Sequence, residues 1–309
     1  MKNYLILSSL LLAGLSFCAC DADEAEAVAF DVALANDAAA IFAGDDVVFR
    51  FSGKPDYVTF YSGEEGSRYV NRHRTSVDVE ALTLSYTFLQ RYTENALLNH
   101  AATHIYISED FDADYTPEGI ARATWTQLSQ TSGEEWLVPT ATARQQTLSS
   151  SGDLSAYRDK RFTLAFRFET PRLEQAIGQP RVDIEPLTLT KIVDGCPIEV
   201  ANPQADFGFR FVAEAPTAGN YSANATCLLF QPSGAQNGIS VWAVSQQLDP
   251  SATSVDYGTP VRSMDMPAAS VTHNYSEPGV YTATFVARNA NRWNTEEAVR
   301  EITIEVKER

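Results

Sequence analysis

Residues 161–168 read Arg161-Phe162-Thr163-Leu164-Ala165-Phe166-Arg167-Phe168. Every even position is apolar, and the odd positions carry two arginines, a threonine and an alanine. Successive side chains of a β-strand point to opposite faces, so this alternation predicts a strand with one face in a core. Working outward, every odd position of Asp46-Val47-Val48-Phe49-Arg50-Phe51 is apolar. Leu82, Leu84, Tyr86 and Phe88 form one face of the run 81–88, and Ile302, Ile304 and Val306 do so at the end. Gly, Pro, Asn, Asp and Ser cluster between these runs, which is turn chemistry. Helical periodicity is nearly absent. One short helix is predicted from Pro117 to Ala123, with Thr116 as N-cap and Pro117 in its first position. Many short strands with turn punctuation predict an all-β chain of sandwich domains.

The N-terminus opens with Met1-Lys2-Asn3 and an apolar run from Tyr4 to Phe17. The run is shorter than the ~20 apolar residues that a spanning helix needs. It fits the apolar region of a secretory signal. It ends in Phe17-Cys18-Ala19-Cys20, which resembles a bacterial lipoprotein signal with Cys20 as the acylated residue. An ordinary cleaved signal is the alternative. Asp21-Ala22-Asp23-Glu24-Ala25-Glu26 follows, a like-charge run that stays extended as a tether. Acidic residues directly after a lipidated cysteine resemble the surface-export signal of Bacteroidetes lipoproteins. The expected location is therefore the outer membrane, lipid-anchored and facing the medium. The formal net charge is −17, from 40 acids against 23 bases, which argues against a nucleic-acid partner.

Three blocks follow the signal (1–20) and the tether (21–27). The first, 28–79, is read as an immunoglobulin-like domain. The second, 80–201, is read as a jelly-roll β-sandwich, galactose-binding-like. The third, 202–309, closes with His273 to Trp293, where Pro278-Gly279 makes a turn and Tyr281, Ala283, Phe285 and Ala287 share a strand face. That pattern resembles the penultimate strands of PKD-type, immunoglobulin-like domains. The whole chain also resembles a family of Bacteroidetes lipoproteins with a domain of unknown function. The residues that carry this are Gly44-Asp45-Asp46-Val47, Phe51 to Asp56, Phe60 to Glu64, Ile105 to Asp112 and Ala123-Thr124-Trp125-Thr126. Such proteins resemble those encoded beside SusC/SusD-type importers, and the resemblance implies an accessory role in glycan capture.

Sugars stack their apolar C–H face on flat aromatic rings while nearby polar groups bond the hydroxyls. Trp136 in Gly133-Glu134-Glu135-Trp136 and Trp293 in Asn291-Arg292-Trp293-Asn294 stand on polar loops, so both are candidate platforms. Folding back to cap a sandwich is the competing reading. Trp242 faces away from Ile239 and Val241, and is either exposed or core on the second face. Trp125 is read as core. The aromatics of Phe51 to Tyr69 are read mainly as core and turn residues, and Tyr69, Arg72, His73 and Arg74 as a basic linker. Asp110, Asp112 and Asp114 alternate as hard-cation loops require, which gives either a calcium site or a solvated acidic turn. His100 and His104 have helical metal spacing but lead into a strand. Cys196 and Cys227 remain in the body and either pair as a disulfide or stay free. No hydrolase, zinc-protease or nucleotide-binding motif occurs.

Three functions are compatible with this pattern. The first is a non-catalytic, surface-anchored binder of polysaccharide or oligosaccharide. The second is an interaction lipoprotein docking on a SusC/SusD-like importer, including one for peptides. The third is a hydrolase of surface polymers.

Overall fold

The computed structural model describes residues 25–309, apart from 37, 39, 40 and 141. The expected signal, Cys20 as the expected lipid-attachment residue, and residues 21–24 of the expected tether lie outside the described residues. The chain enters with β1 (Phe30–Leu34), β2 (Asp46–Gly53) and β3 (Tyr57–Tyr61). It continues through β4 (Ala81–Arg91), β5 (Thr103–Ser108), α1 (Pro117–Arg122), β6 (Thr126–Gln127), β7 (Gln145–Asp153), β8 (Thr163–Thr170) and β9 (Arg181–Val193). Then come β10 (Cys196–Val200), β11 (Arg210–Ala213), β12 (Gly219–Ala223), β13 (Leu228–Pro232) and β14 (Ile239–Val244). The last four strands are β15 (Thr259–Arg262), β16 (Ser270–Asn274), β17 (Gly279–Ala290) and β18 (Thr295–Val306). The fold is all-β. No helix of the described residues is long and apolar enough to cross a membrane.

The chain divides into two compact units, but not at the block boundaries that its composition suggests. The outer unit joins residues up to Arg74 with Val255–Arg309, and the inner unit is Thr75–Ser254. Block 28–79 and the end of block 202–309 are therefore two halves of one sandwich, not two modules. The reason is edge pairing: β2 takes β16 on one edge, and β3 takes β15 and β17 on its two edges. Three short strands alone could not bury a stable core. Phe49, Phe60 and Phe285 meet at its centre with ring centroids 4.9–5.6 Å apart. Phe60 of the early aromatic stretch is thus core, whereas Tyr57 is exposed.

The inner unit packs a sheet ordered β12-β13-β9-β4-β7, with β10 also on β9, against one ordered β11-β14-β8-β5-β6. Leu82, Leu84, Tyr86 and Phe88 face Leu164, Phe166 and Phe168, so the period-two reading of both runs holds. Residues 202–254 belong here because β13 adds to β9 and β14 adds to β8. The helix starts as expected, with Thr116 Oγ1 accepting the Gly119 N–H at 3.1 Å. The two ends of the inner unit are tied together. Val77 N donates to Ser251 O at 2.8 Å, and Thr253 N donates to Thr75 O at 3.2 Å.

Cys196 and Cys227 are both free thiols, so the disulfide alternative is not the one adopted. Cys196 is exposed on β10, an added strand beside β9, while Cys227 is buried immediately before β13. Burial, reinforced by the nearby Asp183 carboxylate, pushes the Cys227 thiol up to about 11.

Candidate functional site: an aromatic and polar sheet face

The inner unit's five-stranded sheet has a second face, turned away from the core. Its residues follow from strand alternation. Ile105 and Ile107, Phe166 and Phe168, and Val241 and Ala243 point inward. His104 and Tyr106 on β5, Ala165, Arg167 and Glu169 on β8, and Ser240, Trp242 and Val244 on β14 therefore point outward. Register places His104 opposite Arg167 and Arg167 opposite Trp242, so these three form one row across the sheet. Tyr106 stands in the next row, opposite Gln127 of β6 on one side and Ala165 on the other.

Part of this face is roofed by the segment from Phe111 to Trp125, which contains α1. Phe111, Ile120, Tyr115 and Trp125 pack there against Ala165, Val212, Trp242 and Val244. The remainder stays open. Trp242 is the floor: its ring lies 5.0 Å from Tyr106 and 5.3 Å from Trp125. At 5% exposure it supports the site without offering a free face, so of the two readings of Trp242 it is core on the second face and not an exposed platform. Tyr106 and Trp125 are half-buried and border the open area.

Polar groups surround these rings. The Trp242 indole N–H donates to Glu214 Oε1 at 2.8 Å. Arg167 stands 5.2 Å over the Trp242 ring and pairs with Glu169 at 3.0 Å and Glu214 at 3.2 Å. Its Nε donates to Ser240 Oγ at 2.9 Å. The Tyr106 hydroxyl donates to Gln127 Oε1 at 3.2 Å. Burial holds the His104 imidazole below its ordinary value, partly offset by Glu169, so the ring is neutral at neutral pH and both gives and takes a hydrogen bond. Burial alone would raise the Glu214 carboxyl, but the Trp242, Ser240 and Arg167 donors outweigh it and hold the group low.

A depressed carboxyl contributes stability that is present above its ordinary value of 4.5 and lost as pH falls through its native value. Glu214→Gln is therefore expected to destabilise the inner unit at pH 7, and to do so less at pH 3. Urea unfolding at the two pH values checks this.

The other candidate residues lie elsewhere. Trp136 is buried, 7% exposed, and belongs to the main core of the inner unit. Its ring fills the hollow left by Gly152, where a Cβ would overlap the indole. The folded-back reading therefore holds, and Trp136 is no platform. Trp293 is 64% exposed, but it belongs to the outer unit. The acidic turn is not a calcium cradle. Arg122 donates to Asp112 at 3.0 Å and to Asp114 at 2.7 Å, while Asp110 accepts from Ser108 Oγ and from Thr124 N at 2.8 Å each. The arginine supplies the positive charge that a cation would bring. Among the described residues no group of three His, Cys, Asp or Glu is arranged to hold a metal ion. His100 Nε2 instead meets the Glu169 carbonyl at 3.1 Å.

Tyr106, Arg167 and Glu214 carry no motif. The signal of Tyr106 and Arg167 is parity, since a strand pattern assigns each to the solvent side; Glu214 stands just past the end of β11. The inner unit also holds a cavity of about 380 Å³, where Lys191 lies among Leu82, Leu189 and Leu248. Its ammonium is bound to the Pro250 and Ala252 carbonyls at 2.7 and 3.0 Å.

A family model described as a domain of unknown function, DUF5017, matches residues 19–206. The chain belongs to the DUF5017 family. The DUF5017 match covers most of the strands that build the aromatic face, β5, β6 and β8, but stops before β11 and β14. Comparisons with curated proteins and with solved structures find no match.

Proposed function

We propose that this protein is a non-catalytic glycan-binding lipoprotein of the outer-membrane surface, serving a SusC/SusD-like uptake system. The observation that carries the binding part is the open sheet face, where Tyr106 and Trp125 flank Arg167, Glu169, Gln127 and His104 over a Trp242 floor. Half-exposed rings offer an apolar stacking surface, and planar charged and amide groups at the same level suit sugar hydroxyls. The polar groups already bond one another, which holds them in place before a ligand arrives and lowers the ordering cost of binding. The lipid-anchor part rests on Cys20 and the acidic residues after it, together with the resemblance to importer-associated lipoproteins.

The test is affinity electrophoresis of the chain starting at Asp21, through gels containing plant, host and microbial polysaccharides. One polymer is expected to retard the protein. Trp125→Ala and Tyr106→Ala are each expected to cost about 2 kcal/mol of binding, roughly 30-fold in affinity, with the circular dichroism spectrum retained. Retardation by no polymer, or retardation untouched by both variants, would remove glycan binding from this face. The protein would then read as an interaction subunit of the importer, to be sought by pull-down.

A further inference from the structure

The outer unit carries large exposed apolar side chains that its core does not use, and four of them share one end. Tyr57 opens β3 opposite Arg288 of β17, two residues before that strand ends at Ala290 and the β17–β18 turn begins. That turn is built on Asn291, whose side-chain oxygen accepts the Trp293 and Asn294 N–H groups at 2.8 and 2.7 Å. It presents Trp293, 64% exposed, with Arg292 4.5 Å over the ring. The β15–β16 loop reaches the same end. Arg262 Nε donates to Pro55 O at 2.7 Å, and Phe51 N donates to Ala269 O at 2.8 Å. This loop exposes Met264 (69%) and Met266 (49%), and Tyr57 is 40% exposed. Lys54, on the β2–β3 turn, is exposed beside them.

The start of the described chain is pinned here too. Asn289 Nδ2 donates to Glu26 O at 3.0 Å and to Ala27 O at 3.4 Å. Asn289 Oδ1 accepts the Asp56 N–H at 3.0 Å. The six residue steps from Cys20 to Glu26 span at most about 20 Å. An acyl chain on Cys20 would therefore hold this end, and not the opposite one, near the bilayer.

We infer that this end is a lipid-facing surface, on which Lys54, Tyr57, Met264, Met266, Arg292 and Trp293 settle into the headgroup layer when the chain is anchored. The inference rests on the lipid-anchor part of the function proposed above. Tyrosine and tryptophan favour the membrane–water interface. Lysine and arginine lay their stems along it with the charge in water. Carboxylates at this end are Glu26, Asp56, Asp265, Glu296 and Glu297; Asp56 is occupied with the Ala290 N–H at 3.2 Å, and Glu297 pairs with Arg288 at 2.8 Å. With a net charge of −17, the chain gains little from anionic lipid, so aromatic and apolar contact drives the seating. Trp293 is then a membrane contact, not a sugar platform.

The test uses phosphatidylcholine vesicles whose acyl chains are brominated close to the headgroup. Two proteins are placed on them: the native acylated chain, and a chain starting at Asp21 held by an N-terminal histidine tag on nickel-chelating lipid. Tryptophan emission is expected to be quenched in both, with the quenching lost in Trp293→Phe and reduced in Met264→Asp/Met266→Asp. Vesicle flotation without quenching, or equal quenching of Trp293→Phe, overturns the inference. If the native chain fails to float while the tagged chain is quenched, the anchor reading fails and the lipid-facing surface stands. Unchanged glycan retardation of Trp293→Phe supports it, whereas lost retardation returns Trp293 to sugar binding and overturns it.

Discussion

Trp136→Ala is expected to lower the stability of the inner unit by about 3–5 kcal/mol, the range for removing a buried large aromatic. The indole is 7% exposed and packs in the main core, with its ring plane where a side chain at Gly152 would stand. Its backbone has φ 58°, a conformation costly for a bulky residue, and it is held there by two hydrogen bonds. Trp136 N donates to Ser151 O at 3.0 Å, and Gln130 N donates to Trp136 O at 2.8 Å. The converse substitution, Gly152→Ala, pushes a methyl into the ring and is also expected to destabilise. Because the two residues share one space, the double variant is expected to lose less than the sum of the single ones. Urea titration of all four proteins gives the coupling energy. Polysaccharide retardation of folded Trp136→Ala is expected to equal the parent's. A parent-like midpoint for Trp136→Ala would place the ring outside the core.

Asp183→Ala is expected to be the most damaging charge removal, at about 3 kcal/mol. The Asp183 carboxylate is 4% exposed and binds two guanidiniums, Arg91 at 2.6 Å and Arg181 at 2.7 Å. Its loss leaves two arginines side by side on β4 and β9 without their shared anion. Each arginine side chain is 32% exposed, so water recovers part of the cost and the effect sits at the low end for a broken buried pair. The same variant has a second readout. Cys227 Sγ lies 3.9 Å from Asp183 Oδ1, and after burial this carboxylate is the next cause of its raised pKa. Alkylation of Cys227 at pH 8.5 is therefore expected to quicken in Asp183→Ala, measured by mass spectrometry under conditions where the variant is still folded.

Strand identity was readable because burial on one face forces alternation, as Leu164, Phe166 and Phe168 show. Strand pairing was not readable. β2 finds β16 more than two hundred residues away, and nothing local in Asp46–Gly53 names that partner. Trp136 looked exposed because its neighbours are Gly133, Glu134 and Glu135, yet the hollow that receives it is made by Gly152 on β7. The acidic turn looked like a cation loop because alternate carboxylates were visible and the arginine that neutralises them, Arg122, lay on the following helix. On the aromatic face, the outward direction of Trp242 was legible from Ile239 and Val241. Its grouping with Tyr106, Trp125 and Arg167 was not, because each stands on a different strand or loop and only the register joins them.

The hydrogen bonds that tie Thr75–Val77 to Ser251–Thr253 have a consequence for the order of events during biogenesis. To form the outer unit from an open chain, a loop of roughly 180 residues must be closed, at an entropic cost of about 4–5 kcal/mol. If the inner unit forms first, Arg74 and Val255 are delivered to one place and that cost is already met. The inner unit has all its strands once residue 254 has emerged, whereas the outer unit waits for β18, the last strand of the chain. The inner unit thus acts as a folding clasp for the sandwich that encloses it in sequence. Substitutions that weaken the clasp will slow maturation of the outer unit, even though they touch none of its residues.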